Sequence, residues 1–162
     1  MISDQDYNNS VKNFTKNLFR FLFKALKDEE IVNDIIQDSY LKLWLNRDKV
    51  DPAKIKPWLF SVSHHSMINY LKTSSRNTRI NENTEIPAVY QKHEFDIREV
   101  LDKALSELSP LQKSIILLRD LEGYEYKEIG EILKLNDSQV KVYLFRARQH
   151  VKNSLKKLSN VL

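Results

Sequence analysis

The chain has 162 residues, 41% of them hydrophobic, and 26 Lys and Arg against 22 Asp and Glu give a net charge of +4 at pH 7. Two glycines and four prolines leave few tight turns, and long segments of helical period predict an all-α protein without an extensive sheet. Cysteine is absent, which excludes disulfides and thiolate metal sites and fits the reducing cytoplasm. Neither a membrane-spanning apolar run nor a secretory signal is visible.

Two helices are predicted in the first fifty residues. The first extends from about Asp4 to Lys27, and Asp28 then provides the N-cap of a second helix that ends near Asn46. Apolar side chains at steps of three and four predict the buried face of each helix. In the first helix these are Phe14, Leu18, Phe21, Leu22 and Ala25. In the second they include Ile31, Ile35, Tyr40, Leu41 and Trp44.

The second helix carries an acidic surface. Five acids and no base lie between Asp28 and Asp38, and Asp34, Gln37 and Asp38 fall close together on the exposed side. The neighbouring sequence offers no evident basic partner for this patch. The pattern fits either a solvated face or a docking surface for a basic partner protein.

A connector at residues 47–56 leads to a third helix, predicted from Pro57 to about Lys72. Eight basic and two acidic residues lie between Lys42 and Arg79, so a basic helix follows the acidic one. The positions expected in the core by their spacing are Trp58, Leu59, Val62, Ile68 and Leu71.

His64 and His65 are adjacent in this third helix. They therefore lie about 100° apart, whereas a metal site would need i,i+4 spacing or further ligands. Polar surface or contact with a partner is the expected role of both side chains. The sequence predicts no metal site and no cofactor.

Residues 73–95 interrupt the helical period and are rich in Ser, Thr and Asn, with charges of both signs. This composition predicts a linker between two small helical domains at 1–72 and 96–162, with conformational freedom in the unbound protein. An ordered strap in the middle of the segment is an alternative that the composition leaves open.

The second domain begins with an amphipathic helix. Ser109 and Pro110 then form the N-cap and first residue of an apolar central helix, which Gly123 ends. A short helix is predicted at residues 126–133. Its Gly130 indicates that a second helix crosses closely at that point, because Gly inside a helix costs about 1 kcal/mol relative to Ala.

A tight turn at residues 134–136 separates this short helix from a longer one, which is the pattern of a helix-turn-helix. Asn136 is the expected N-cap of the longer helix, and Gln139 is expected to complete a capping box. The buried stripe of the longer helix is predicted at Val140, Leu144, Ala147, Val151, Leu155 and Leu158.

The face opposite that stripe is mixed in character, with Ser138, Val142, Phe145, Arg146 and Gln149. Such side chains can contact base edges and thymine methyl groups. Seven Lys or Arg and one acid lie between residues 134 and 157, which favours a polyanion as partner. A two-helix hairpin with a solvated face is the alternative.

The segments of the first domain resemble region 2 of the extracytoplasmic-function (ECF) group of bacterial sigma-70 factors, the short initiation subunits of RNA polymerase. Residues 34–44 (DIIQDSYLKLW) resemble the helix that docks on the polymerase clamp. Residues 58–60 (WLF) and 68–71 (INYL) resemble the helix that meets the −10 promoter element.

The second domain is similar to region 4 of the same family. The similarity covers residues 108–133, including the Leu-x-Pro entry, and residues 140–141 and 144–148 match the recognition helix. The family often has Gly where Lys134 stands in the turn. In all, the resemblance extends from about residue 14 to residue 155.

The resemblance implies a sigma factor that directs core polymerase to promoters and initiates transcription, without enzymatic activity of its own. The implied partners are core RNA polymerase, through the clamp of its largest subunit, promoter DNA and, as often in the family, an anti-sigma factor. The residues implied to bind polymerase are Asp34, Gln37 and Asp38. Those for the −10 element are His65, Asn69, Lys72 and Arg76. Those for the −35 element are Ser138, Gln139, Lys141, Val142, Phe145, Arg146 and Gln149.

A different class of function remains as the alternative: a freestanding helix-turn-helix regulator whose N-terminal helices serve dimerisation or sensing. Such a regulator usually needs dimer symmetry, and no long dimerisation helix is apparent. An enzyme is disfavoured because no nucleophile–base pattern or Gly-rich phosphate loop is visible.

Overall fold

The structure is a computed structural model that describes residues 1–78 and 97–160, without the side chains of 76–78, 158 and 159. Within these ranges the regular elements are helices, so the predicted all-α class is confirmed. In the first range they are α1 at Asp4–Leu26, α2 at Glu29–Leu45, a 3₁₀ turn at Pro52–Lys54 and α3 at Ile55–Thr78. In the second they are α4 at Ile97–Ser106, α5 at Pro110–Ile116, a π-helical turn at Leu117–Leu121, α6 at Tyr126–Leu133 and α7 at Asp137–Ser159.

Helices α1, α2 and α3 pack against one another in the first half of the chain. The predicted cap of α2 is present, since the Asp28 carboxylate accepts a hydrogen bond from the Ile31 backbone N–H at 3.3 Å. Phe21 of α1 packs against Phe60 of α3 with 5.6 Å between ring centroids, and both side chains are fully buried. Burial of such rings supplies much of the driving force for packing these helices.

Two predictions about the helices α2 and α3 are wrong. Helix α3 continues to Thr78, beyond its predicted end near Lys72, because residues 73–78 are polar but contain neither Gly nor Pro to stop a helix. Leu41, predicted to be buried, is 55% exposed, because it lies on the outer side of α2. The remainder of the predicted linker, residues 79–95, lies outside the described residues.

Local sequence signals determine the ends of the second-half helices. Ser109 and Gln112 form a capping box at the start of α5, as the Ser-Pro pair predicts, with both hydrogen bonds at 3.2 Å. Gly123 has a φ of 74° and ends the π-helical turn, which confirms its predicted role as a cap. Helices α4 and α5 both pack against α7.

The turn between α6 and α7 is built on backbone contacts. A Cβ atom at Gly130 would lie 2.6 Å from the carbonyl oxygen of Leu135 and 3.8 Å from Cγ2 of Val140. The atom that comes closest to Gly130 therefore belongs to the turn, and the nearest atom of α7 is further away. The predicted capping box of α7 is confirmed, with Gln139 N–H donating to Asn136 Oδ1 at 2.8 Å and Asn136 N–H donating to Gln139 Oε1 at 3.0 Å.

Replacing Lys134 with Gly is expected to stabilise the protein by about 1 kcal/mol. Lys134 follows α6 with a φ of 57°, a left-handed conformation that a side chain disfavours and Gly adopts freely. Urea unfolding monitored by circular dichroism measures the change. Lys127→Gly inside α6 is the matched control and should destabilise, because its helical backbone gains nothing from Gly. A lower midpoint for Lys134→Gly would contradict this account of the turn.

The two halves of the described chain share one continuous apolar core. Helix α3 packs against α6, and α1 packs against the π-helical turn and α5. Phe60 of α3 meets Tyr124, which precedes α6, with 5.1 Å between ring centroids. The first three helices and the helix-turn-helix are therefore in direct contact.

Candidate functional site

The acidic face of α2 is exposed as predicted. Asp34, Gln37 and Asp38 all face solvent, while Ile35 and Ile36 between them are buried. The expectation that the patch has no basic partner is wrong for Asp38, whose Oδ2 lies 2.8 Å from Lys42 Nζ, one helical turn later. Both side chains of this pair are about half exposed, so the pair contributes little to stability and leaves the carboxylate accessible.

The basic face of α3 forms a single stripe. His65, Asn69 and Lys72 are exposed at helical spacings of four and three. Arg76 follows four residues later on the same helix, and its side chain lies outside the described part. The extension of α3 to Thr78 keeps Arg76 in register with the stripe.

His64 does not lie on the surface, although both adjacent histidines were expected to be surface or partner-contacting residues. Its ring is largely buried, and Nε2 has no hydrogen-bond partner among the described residues. Burial, and secondarily the charge of neighbouring His65, lowers the pKa of His64 to about 4, so the ring is neutral at pH 7. It lines a groove of about 450 Å³ between α3 and α6, together with His65 and Lys134.

The outer face of α7 is exposed at every position predicted to contact DNA. Val142 is 44% and Phe145 67% exposed, which is unusual for apolar side chains on a helix with a well-packed inner face. The inner positions Val140, Leu144 and Ala147 are buried as predicted. The other exposed members of the outer face are Ser138, Gln139, Lys141, Arg146 and Gln149.

Family models match both halves of the chain. The model for sigma-70 region 2 matches residues 11–77, and the model for sigma-70 region 4 matches residues 98–151. In Bacillus subtilis strain 168, the ECF RNA polymerase sigma factor SigM is 29% identical over 145 residues, covering 86% of this chain and 88% of SigM. The RNA polymerase sigma factor SigV of the same strain is 28% identical over 144 residues, covering 88% of this chain and 86% of SigV.

The chain belongs to the ECF group of sigma-70 factors. Two solved structures have the same fold. The Bartonella quintana sigma factor RpoE, in complex with the anti-sigma factor NepR, matches with a TM-score of 0.75 at 22% identity, covering 94% of this chain and 98% of RpoE. CnrH, in complex with the cytosolic domain of CnrY, matches with a TM-score of 0.72 at 19% identity, covering 96% and 90%.

Sequence reasoning missed part of the exposed stripe on α2 of this sigma factor. Leu41 and Leu45 are 55% and 69% exposed and follow Gln37 at intervals of four residues. They extend the polar patch of Asp34, Gln37 and Asp38 with two apolar side chains. The interval of four was visible in the sequence, but apolar residues occur on several sides of α2, so spacing did not identify its outer side.

A second missed feature is the attachment of α7 to the π-helical turn. Arg148 donates from Nη2 and Nε to the two carboxylate oxygens of Asp120, at 2.6 and 3.1 Å. This bidentate pair holds the half-exposed side chain of Arg148 against the π-helical turn, whereas Arg146 is exposed on the outer face. Arg146 and Arg148, two residues apart on α7, thus have different surroundings.

The described part of this sigma factor contains no helix that is both long enough and apolar enough to cross a membrane.

Proposed function

We propose that this sigma factor docks on core RNA polymerase through α2, helps to open the −10 element with α3 and reads the −35 element with α7. The observation that carries the proposal is the presence of three exposed faces of different chemistry on three helices. The face of α2 is acidic with an apolar end, that of α3 is basic, and that of α7 is mixed polar and apolar. Each matches the chemistry of one of these three partners.

Asp34, Gln37 and Asp38 are proposed to contact the clamp of the largest subunit. Charge complementarity between an acidic patch and a basic surface speeds encounter and fixes orientation. Exposed Leu41 and Leu45 supply apolar area beside the charges, as the centre of a protein interface requires.

Helix α7 is proposed to lie in the major groove of the −35 element. Lys141 and Arg146 are the proposed base or phosphate contacts, and Val142 and Phe145 are suited to thymine methyl groups. Ser138, Gln139 and Gln149 complete the face. Gln139 Oε1 already accepts a hydrogen bond in the N-terminal cap, which limits how this side chain can turn towards a base.

Helix α3 is proposed to contact the −10 element during strand opening. His65 can stack on an unpaired base, Asn69 can hydrogen-bond to a base edge, and Lys72 and Arg76 can neutralise phosphates. Their common stripe would let one strand follow the helix axis.

The proposed domain division is 1–72, 73–95 and 96–162, with α3 extending into the middle segment as far as Thr78. The protein is proposed to act in the cytoplasm, where polymerase and promoter meet, and to carry no catalytic activity of its own. We also propose that an anti-sigma factor binds this protein. The support is that RpoE was solved in complex with the anti-sigma factor NepR, and CnrH in complex with the cytosolic domain of CnrY.

Gel-shift and run-off transcription assays, each with and without core polymerase, test this function. We expect weak binding of the free protein to duplex promoter DNA, and strong binding and transcription by the holoenzyme, because two weak contacts fixed on one platform raise each other's effective concentration. Tight and specific duplex binding without polymerase would instead support the freestanding regulator.

A further inference from the structure

The groove between α3 and α6 contains a buried polar atom without a partner. His64 Nε2 makes no hydrogen bond among the described residues, and the ring of His64 lines the groove, whose volume is about 450 Å³. Leaving such an atom unpaired costs free energy. Because the ring is neutral at pH 7, its nitrogens can donate or accept a hydrogen bond according to the tautomer. A ligand with a polar atom could supply the missing partner.

Lys134, on the edge of the same groove, has an unfavourable backbone conformation. In the described part of the chain, Lys27 is the other residue with both a side chain and a positive φ, and each has a φ of 57°. The Lys27 ammonium is paired with Asp102 at 3.1 Å and lies 5.9 Å from the centroid of the Phe23 ring. For Lys134 the described residues provide no ion pair. Strained residues occur often at ligand sites, and this ammonium is available to an anion.

The side chains at the edge of the groove are basic. Lys42, His65 and Lys134 are exposed there, and none of the residues that line the groove is Asp or Glu. Lys42 is paired with Asp38 at 2.8 Å, but this pair is half exposed, so the ammonium can turn towards the groove at little cost. Two ammonium groups favour an anion with more than one negative charge, which indicates a phosphate group.

The walls of the groove are apolar. They consist of Val62 and Ile68 on α3 and of Ile132 and Leu133 on α6. Sites for small organic ligands typically combine such walls with a few polar groups in a volume of about 300–1,000 Å³. A bare phosphate ion would not cover these walls, and an aliphatic tail would leave His64 Nε2 unpaired. A flat ring with a polar edge meets both requirements.

We propose that this groove binds a free mononucleotide. The base lies between the apolar walls, a polar atom on the edge of the base pairs with His64 Nε2, and the phosphate is held by Lys42 and Lys134. A nucleotide carries the flat apolar faces, the polar edge and the multiple charge in one small molecule. Binding requires neither polymerase nor promoter, so it can be measured independently of the proposed function.

Calorimetric titration of the full chain with AMP, GMP, CMP and UMP tests this site. We expect at least one of these nucleotides to bind with a Kd below about 1 mM. Its nucleoside and inorganic phosphate should each bind roughly tenfold more weakly or less tightly still, because each supplies only part of the contacts. In nuclear magnetic resonance spectra the ring signals of His64 should shift on addition of the nucleotide.

Substitutions in the groove should separate binding from folding. Lys134→Gly removes the ammonium and should weaken nucleotide binding roughly three- to tenfold, although it relieves the strained backbone and raises the urea midpoint. His64→Leu removes the unpaired nitrogen and should weaken binding without loss of stability. Lys134→Gln should weaken binding like Lys134→Gly. Lys127→Gln, at an exposed position of α6 outside the groove lining, is its matched control and should bind normally.

Four outcomes would overturn the mononucleotide site. They are no binding by any of the nucleotides below about 1 mM, binding that leaves the His64 signals unchanged, equal affinity for inorganic phosphate, and equal loss with Lys134→Gln and Lys127→Gln. A single-stranded oligonucleotide is the competing ligand. If it shifts the His64 signals and binds more tightly than every mononucleotide, the groove contacts DNA and the proposal fails. Transcription by the holoenzyme reports the proposed function separately from all of these measurements.

Discussion

Replacing Asp34 and Asp38 together with lysine is expected to abolish promoter-directed transcription while the melting temperature changes by about 2 °C or less. Both side chains are exposed on α2, and the Asp38–Lys42 pair is half exposed, so folding depends little on either carboxylate. Docking, in contrast, should fail, because two lysines would replace the acids that are proposed to face the basic clamp, and like charges repel. Run-off transcription and circular dichroism melting measure the two effects on the same preparation.

A matched control separates docking from net charge. Asp48→Lys with Glu99→Lys makes the same change in total charge at exposed positions away from the acidic face. This control should retain transcription, and the holoenzyme should form as with the unchanged protein. Equal loss in both double variants would show that charge alone is responsible, and retained transcription in the Asp34–Asp38 variant would refute the docking face.

Replacing Arg146 with Ala is expected to weaken promoter binding by the holoenzyme by about 1–3 kcal/mol, roughly 5- to 160-fold, if the guanidinium contacts a guanine through two hydrogen bonds. The side chain is exposed on the outer face of α7, opposite the buried Leu144 and Ala147. The preference at one base pair of the −35 element should relax at the same time. Binding to a set of single-base promoter variants measures both effects.

Arg148→Ala is the control that the structure provides for this experiment. Arg148 lies two residues further along α7 but is paired with Asp120, so its loss should change base preference little. The pair is about half exposed, and its removal should cost stability of about 1 kcal/mol or less. Unchanged promoter choice with Arg146→Ala, or the same loss of preference with Arg148→Ala, would place the reading surface elsewhere.

Features with a local physical origin could be predicted from the sequence. The bounds of α6 follow from its apolar period, and the caps at Ser109 and Asn136 follow from hydrogen bonds between residues three positions apart. The exposed face of α7 follows from the same period, because Val140, Leu144 and Ala147 determine which side is inward.

Features that depend on distant contacts could not be predicted in this way. His64 is buried because α6 packs over α3. The periodicity of α3 cannot indicate this contact, because α6 comes from the other half of the chain. The bidentate pairs Arg20–Glu122 and Arg148–Asp120 join residues that are 102 and 28 positions apart in the sequence. Leu41 is the opposite case, an apolar residue that was predicted to be buried and is exposed. Because α2 is largely apolar, its sequence does not indicate that Leu41 is left uncovered in the described fold.

The close approach at Gly130 has a consequence for changes of promoter preference. A side chain at position 130 would meet the carbonyl oxygen of Leu135, a backbone atom of the turn, so no larger residue fits there without disrupting the turn that sets α7 against α6. The exposed side chains of α7 have few contacts within the protein to preserve. If α7 reads the promoter as proposed, grafting the outer-face residues of another sigma factor onto α7, with Gln139 kept for the cap, is therefore a route to new promoter preferences that leaves the supporting scaffold unchanged.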